Sequence, residues 1–185
     1  MIEASEFLTR VGVRTHGSDA ISVSYTSNES MDEAAELDEC REAALRLLDA
    51  APRPSGALRE RLSDKGYKTS IIDEVIERLI RVHLIDDRAY AESAVRFCVG
   101  RCMGRRGTVM ELIRKGVDRG MAETVAAEAD ERGMFEEAAW ALGRRYAKKT
   151  IGVDDAVRRR RFWAAGGRKG HDSETLNRVC RELFA

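Results

Sequence analysis

A lysine–glycine pair returns three times in this chain, at Lys65-Gly66, Lys115-Gly116 and Lys169-Gly170, with spacings of 50 and 54 residues. An apolar stripe follows each pair. Ile72, Val75, Ile76 and Leu79 correspond at a constant offset of 104 to Leu176, Val179, Cys180 and Leu183, and at an offset of 50 to Ala122, Val125, Ala126 and Ala129. The i, i+3, i+4, i+7 spacing places each set on one face of a helix. A short helix that must reverse into the next needs a left-handed residue just past its end, a conformation glycine adopts without penalty. Gly66, Gly116 and Gly170 are therefore expected as turn residues. Self-similarity at a fixed period marks a tandem repeat. Three helices of roughly ten residues cannot close a large core alone, so neighbouring copies must stack. The expected fold is all-α: three tandem three-helix repeats in an elongated, curved array, with repeat 1 at 38–85, repeat 2 at 86–130 and repeat 3 at 131–185.

The helix signals fill in the copies. Leu37, Cys40, Ala44, Leu47 and Leu48 form one stripe, and Pro52-Arg53-Pro54 stops that helix. Ser55 is placed to cap a short helix carrying Leu58 and Leu62, and Thr69 or Ser70 to cap the next, which ends near Val82. Asp86-Asp87 opens a longer helix with Tyr90, Ala94, Phe97 and Cys98 on one face. A glycine- and arginine-rich elbow is expected from Gly100 to Gly107, then a short helix through Leu112. In the third copy Phe135, Ala139, Leu142 and Tyr146 line the first helix, the second runs from about Asp154 to Trp163, and Asp172 or Ser173 caps the last.

Composition agrees with exposed helices over thin cores. Charged residues make up 35% of the 185, hydrophobic residues 43% and aromatics only 6%, with two prolines. That mix argues against a sandwich or barrel. No apolar run reaches the eighteen or so residues of a membrane span, and the first residues lack the pattern of a secretory signal, so the expected location is the cytoplasm. Residues 1–37 differ from the rest. Phe7–Arg14 and Ala20–Thr26 have strand character around the turn His16-Gly17-Ser18-Asp19, which allows a β-hairpin or an extension without order, and Thr26–Asp32 reads as a polar linker.

Lysine plus arginine and aspartate plus glutamate both number 32, so the formal net charge is zero, but the charge is unevenly spread. Residues 1–37 hold two basic and seven acidic side chains; residues 131–185 hold thirteen basic and eight acidic. Between Arg144 and Lys169 ten basic residues face only Asp154 and Asp155. A charge run is often just a solvated helix face. The four consecutive arginines Arg158, Arg159, Arg160 and Arg161 wrap more than a helical turn and cannot all have acidic neighbours. The other reading, beside the solvated face, is an electropositive surface for an anionic partner, with Arg101, Arg105, Arg106, Arg144, Arg145, Lys148, Lys149 and Arg158 to Arg161 as its candidate residues.

Catalytic signatures are missing. The chain has no Gly-x-Ser-x-Gly, no phosphate loop and no His-Glu-x-x-His. Its glycine-rich stretches do not follow strands, against a dinucleotide site. Asp86-Asp87 and Asp154-Asp155 sit at helix starts, where capping explains them. Cys40, Cys98, Cys102 and Cys180 are scattered; Cys98 and Cys102 share a helix face at i, i+4 without a second pair or a nearby histidine to complete a zinc site. No enzyme, cofactor or metal is expected.

Leu58-Arg59-Glu60-Arg61-Leu62 followed by Lys65-Gly66-Tyr67, the helix Ile71 to Leu79, and then Leu84-Ile85-Asp86-Asp87 with Tyr90-Ala91 resembles the RecX family of recombination regulators. Asp172 to Val179 is similar to that family's last helix. The resemblance covers residues 38–185. It departs at Gly104-Arg105-Arg106-Gly107-Thr108, where the family usually has Gly-Pro, and at His171, where it has an aromatic. The resemblance implies a non-enzymatic modulator of the RecA recombinase that lies in the groove of the recombinase–DNA filament and depresses strand exchange and ATP hydrolysis. A monomer is expected, and a net charge of zero leaves at most weak contact to free single- or double-stranded DNA. The rival readings are a helix-turn-helix DNA-binding module or transcription regulator, and a plain scaffold. A DNA reader would want a recognition helix rich in Asn, Gln and Arg, whereas Ile71 to Leu79 is apolar and acidic.

Overall fold

Nine helices make up the regular structure of residues 19–184, the part of the chain that the computed structural model describes. They are α1 (Asp19–Ala50), α2 (Ser55–Asp64), α3 (Thr69–Arg81), α4 (Asp87–Gly100), α5 (Arg105–Arg114), α6 (Arg119–Glu131), α7 (Met134–Lys149), α8 (Asp155–Lys169) and α9 (Ser173–Leu183). No strand occurs among the described residues, so the fold is all-α and built of helical repeats. Two compact units divide the chain between Glu39 and Cys40.

In the first unit, α1 takes in Ala20–Thr26 and the stretch to Asp32, so the second strand of a hairpin and the linker are both corrected to helix. A lone two-stranded hairpin is marginal in water, whereas extending an existing helix gains one hydrogen bond for each residue fixed. Phe7–Arg14 lies outside the described residues.

In the second unit the apolar stripes face inward. α3 buries Ile71, Ile72, Val75, Ile76 and Leu79, and α9 buries Leu176, Val179 and Cys180. Aspartates cap four helices: Asp86, Asp118, Asp154 and Asp172 accept from the N–H of Ala89, Met121, Val157 and Thr175 at 2.8, 3.1, 3.2 and 2.7 Å. Each meets a backbone donor that the first helical turn leaves without a partner.

Several expected boundaries shift. Ser55 is the first residue of α2 and does not cap it; its N–H and hydroxyl both donate to the Asp87 carboxylate, the N–H at 2.7 Å. The second member of the Asp86-Asp87 pair thus secures the start of a different helix. Lys68 holds the N-cap position of α3, ahead of Thr69 and Ser70, because its carbonyl already accepts from Ile72. The expected elbow narrows: α4 runs through Gly100 and α5 begins at Arg105. α8 continues past Trp163 to Lys169, since Gly166 lies flat against Leu176 with no room for a Cβ.

The cores are shared between successive sets of helices. Phe135 of α7 packs with Ala91, Val95, Leu112 and Val125. Cys102, just after α4, packs with Leu142, Phe162, Leu176 and Phe184. Gly66, Gly116 and Gly170 have φ of +92°, +89° and +78°. Two of these turns do more than reverse the chain. The Gly116 turn lies against Gly56 and Ala57 at the start of α2, and the Gly170 turn lies against Gly107 in the first turn of α5. A Cβ on Gly56 or Gly107 would strike the carbonyl of Gly116 or Lys169. At the second junction the Gly104 N–H donates to the Lys169 carbonyl at 2.9 Å and the Arg106 N–H to the Gly170 carbonyl at 3.2 Å. Lys169 Nζ donates to the Arg101 carbonyl at 2.7 Å. Nε2 of His171 donates to the Cys102 carbonyl at 3.0 Å, and burial holds this imidazole below its ordinary pKa.

Candidate interaction surface

The structure sorts the candidate cations by what each already holds. α7 turns Phe135, Ala138, Ala139, Leu142 and Gly143 inward, so Arg144, Arg145, Lys148 and Lys149 lie toward solvent. None of the four has a carboxylate partner among the described residues. Lys148 and Lys149 end the helix, where its dipole favours positive charge. The four-arginine run on α8 divides. Arg158 pairs with Asp155 at 2.9 Å and lies 5.5 Å from the centre of the Phe184 ring, and Arg159 donates to the Phe184 carbonyl at 3.0 Å. These two anchor the C-terminal residues. Arg160 and Arg161 are exposed and hold no carboxylate among the described residues.

The arginines around α5 divide in the same way. Arg101 lies over the Phe97 ring at 5.6 Å, a cation–π distance. Arg105 pairs with Asp130 at 3.1 Å. Arg106 gives its backbone N–H to the repeat junction and leaves its side chain exposed in a cleft of about 740 Å³ between α5 and α8. Three arginines absent from the candidate set share this cleft: Arg114, Arg119 and Arg168. Arg168 falls within the basic stretch from Arg144 to Lys169, but Arg114 and Arg119 come from a part of the chain whose charges balance. Only folding brings them together, because α5 and α8 meet at the Gly107–Gly170 contact.

A second groove, of about 790 Å³, is mostly apolar and lined by Leu48, Pro52, Leu84, Tyr90, Ala94 and Phe97 among others. Leu84 and Phe97 remain 56% and 57% exposed. Exposed apolar side chains gathered in one groove mark sites of protein association.

Among the described residues nucleophiles and metal donors do not assemble. The four cysteines are free and buried, and burial, with Glu111 adding to it, pushes the Cys98 thiol up, away from a reactive thiolate. No cluster of three metal-ligating side chains occurs among the described residues. Nor is any described helix long and apolar enough to cross a membrane.

Comparison with known proteins fits this architecture. The family models described as the first and second three-helix domains of RecX match residues 40–79 and 86–125. Regulatory protein RecX of Mycobacterium leprae is 32% identical over 145 residues, 77% of this chain and 84% of that protein. Its counterparts from Thermobifida fusca and Mycobacterium tuberculosis are each 34% identical, over 145 and 152 residues; the alignments take in 77% and 86% of those proteins and 77% and 80% of this chain. The chain belongs to the RecX family. The crystal structure of RecX from Lactobacillus salivarius superposes with a TM-score of 0.72 over 81% of this chain and 97% of that one, at 23% identity, which speaks for the shared fold. As a RecX relative the chain has a regulatory role, in a family named for regulation rather than for catalysis.

Proposed function

We propose that this chain regulates a RecA-type recombinase by binding its filament, and that it restrains the recombinase without catalysis of its own. The observation that carries this reading is the set of exposed cations without carboxylate partners on α7 and α8, in a chain of the RecX family. A nucleoprotein filament is polyanionic, and unneutralised guanidinium and ammonium groups steer association with such a target. The apolar groove beside Leu84 and Phe97 supplies the water-excluding contact that charge alone lacks. In this reading residues 38–85, 86–130 and 131–185 act as three successive units of one cytoplasmic monomer.

A helix-turn-helix reader of DNA fits less well. Such a module needs free arginines on the helix that enters the groove. On α3 the arginines are spent within the helix: Arg78 on Glu74 and Arg81 on Glu77. On α6 Arg119 faces Glu123 at 3.6 Å.

The test is recombinase ATPase on single-stranded DNA, with and without the protein. The wild-type chain is expected to depress the rate. Reversal of Arg144, Arg145, Lys148 and Lys149 to glutamate is expected to abolish that effect while leaving helicity unchanged. An undiminished rate with the wild type defeats the proposal. So does tight, sequence-dependent binding of duplex DNA in the absence of the recombinase, near 10⁻⁸ M or tighter at physiological salt, the range of dedicated readers.

A further inference from the structure

We infer that the cleft between α5 and α8 is a binding site for the phosphodiester backbone of a single nucleic-acid strand. This goes beyond the recombinase reading and stands independently of it.

Four arginines line the cleft, from three helices. Arg106 and Arg168 have no carboxylate partner among the described residues. Arg114 is held by Glu111 at 2.6 Å, and Arg119 faces Glu123 at 3.6 Å. Glu111 is the one acidic side chain in the lining, and its hydrogen bond to Arg114 holds its carboxyl below the usual range. Four guanidinium groups against two carboxylates, Glu111 in the lining and Glu123 beside Arg119, leave the cleft positive by the charge of Arg106 and Arg168. Planar guanidinium groups suit phosphate oxygens, which they meet through paired N–H donors.

The layout favours a chain over a single small anion. Arg106 and Arg114 are eight residues apart on α5, so a rise of 1.5 Å per residue separates their backbones by about 12 Å. Two phosphates spaced along one strand can each take one of them. Between Arg106 and Arg114 lie Met110 and Ile113, with Met110 67% exposed, and Met103 also lines the cleft. Apolar surface alternating with cations matches a strand that alternates bases with phosphates. An acidic peptide would find the cations but leave that apolar wall wet, and a duplex turns its bases inward. The glycines also matter: Gly107, Gly167 and Gly170 line the cleft, and no side chain on them stands between a strand and the arginines.

The assay is fluorescence-anisotropy titration of labelled oligo-dT with the full chain at several salt concentrations, starting near 50 mM and without recombinase. Wild type is expected to bind with a negative dependence of log K on log salt. Arg106→Ala with Arg168→Ala is expected to reduce that slope by about 1.4, since each single-strand phosphate that is no longer neutralised removes about 0.7. Because the junction uses backbone groups of Arg106 and its neighbours, the double variant should keep the wild-type unfolding midpoint. A control pair on the first helices, Arg46→Ala with Arg61→Ala, should keep the wild-type slope. The inference is overturned by absence of binding at the lowest salt, or by a slope the Arg106/Arg168 variant leaves unchanged. It is equally overturned if poly-glutamate displaces the strand as well as oligo-dT does at matched charge, which would make the cleft a protein site. ATP displacing the strand at matched phosphate, or duplex binding more tightly than oligo-dT, would assign it to a nucleotide or to duplex DNA instead.

Discussion

Replacing Gly107 with alanine should destabilise the chain by about 1–5 kcal/mol, although alanine is the better helix former. A Cβ at this position points at the Lys169 carbonyl, a backbone atom that cannot rotate away. Either α5 or the Gly170 turn must withdraw. Withdrawal breaks the Gly104–Lys169 and Arg106–Gly170 backbone hydrogen bonds, at 2.9 and 3.2 Å. Each is worth about 0.5–1.5 kcal/mol net. Misfit in a close-packed contact adds about 1–3 kcal/mol. Against this stands a helix-propensity gain of at most about 1 kcal/mol. At roughly 2–4 °C per kcal/mol for a chain of this length, a net 3 kcal/mol lowers the thermal midpoint by about 6–12 °C. Gly167→Ala is the matched control. Gly167 lies in the same neighbourhood within α8, but nothing approaches its Cβ position within 4 Å. That substitution should raise the midpoint slightly, by the propensity gain alone. Circular dichroism at 222 nm against temperature reads both. If Gly107→Ala melts with the wild type or above it, the packing of turn against helix start is not what joins the second and third sets of helices.

Three further outcomes are expected. Gly66→Val should cost on the order of 1–2 kcal/mol, because φ there is +92° and a β-branched residue is strained in that region; urea unfolding with an unchanged midpoint would refute it. Asp87→Ala should cost about 1–2 kcal/mol by releasing the Ser55 N–H and hydroxyl, and Ser55→Ala combined with it should add little, a non-additivity that a double-mutant cycle detects. His171 is held below its ordinary pKa, first by burial and then by Lys169, against the opposing pull of the Cys102 carbonyl and Asp172. Its folded form therefore binds the proton less readily than the unfolded chain. Its contribution is present above about pH 6.5 and is lost as the pH falls below that, by up to about 1.4 kcal/mol per unit. Unfolding midpoints at pH 7.5 and 5.5 should converge in His171→Gln relative to wild type.

The helices were legible because their signals are local. The spacing of Ile72, Val75, Ile76 and Leu79, the aspartates before α4, α8 and α9, and the Lys-Gly turns act within a few residues of one another. The N-terminal part of α1 was not legible: Ile21-Ser22-Val23-Ser24-Tyr25 alternates as a strand does, and nothing nearby signals that the helix through Leu37 to Leu48 extends back over it. The end of α8 was misplaced for a related reason. The expected helix ends near Trp163, whereas α8 carries on through Gly166, where the missing Cβ admits Leu176. The cleft was invisible for a different reason. Charge alone offers Arg106 as a candidate and puts Arg168 in a basic stretch, but the two are 62 positions apart and Arg114 and Arg119 sit beside their own counter-ions, so nothing in the sequence brings the four together. Charge summed along the chain reveals excess but cannot tell spent cations from free ones. Arg158 and Arg159 belong to the anchoring of Phe184, while Arg160 and Arg161, next to them in sequence, face solvent.

The way the helix sets are joined explains how so many cations stay free. Polar junctions between helices usually consume side chains, because donors and acceptors removed from water must be paired. Here the Gly107–Gly170 contact lets two backbones approach closely enough to pair their own N–H and C=O groups. Arg106 shows the consequence within one residue: its N–H closes the junction on Gly170 while its guanidinium stays out in the cleft. Lys169 does the reverse, giving both its carbonyl and its ammonium to the junction. A bulkier residue at 107 would force side chains to bridge the gap, and the arginines nearest to it would be the ones recruited. The glycine at that position thus supports adhesion between the sets and, by the same contact, leaves Arg106 and Arg168 available to an anionic partner.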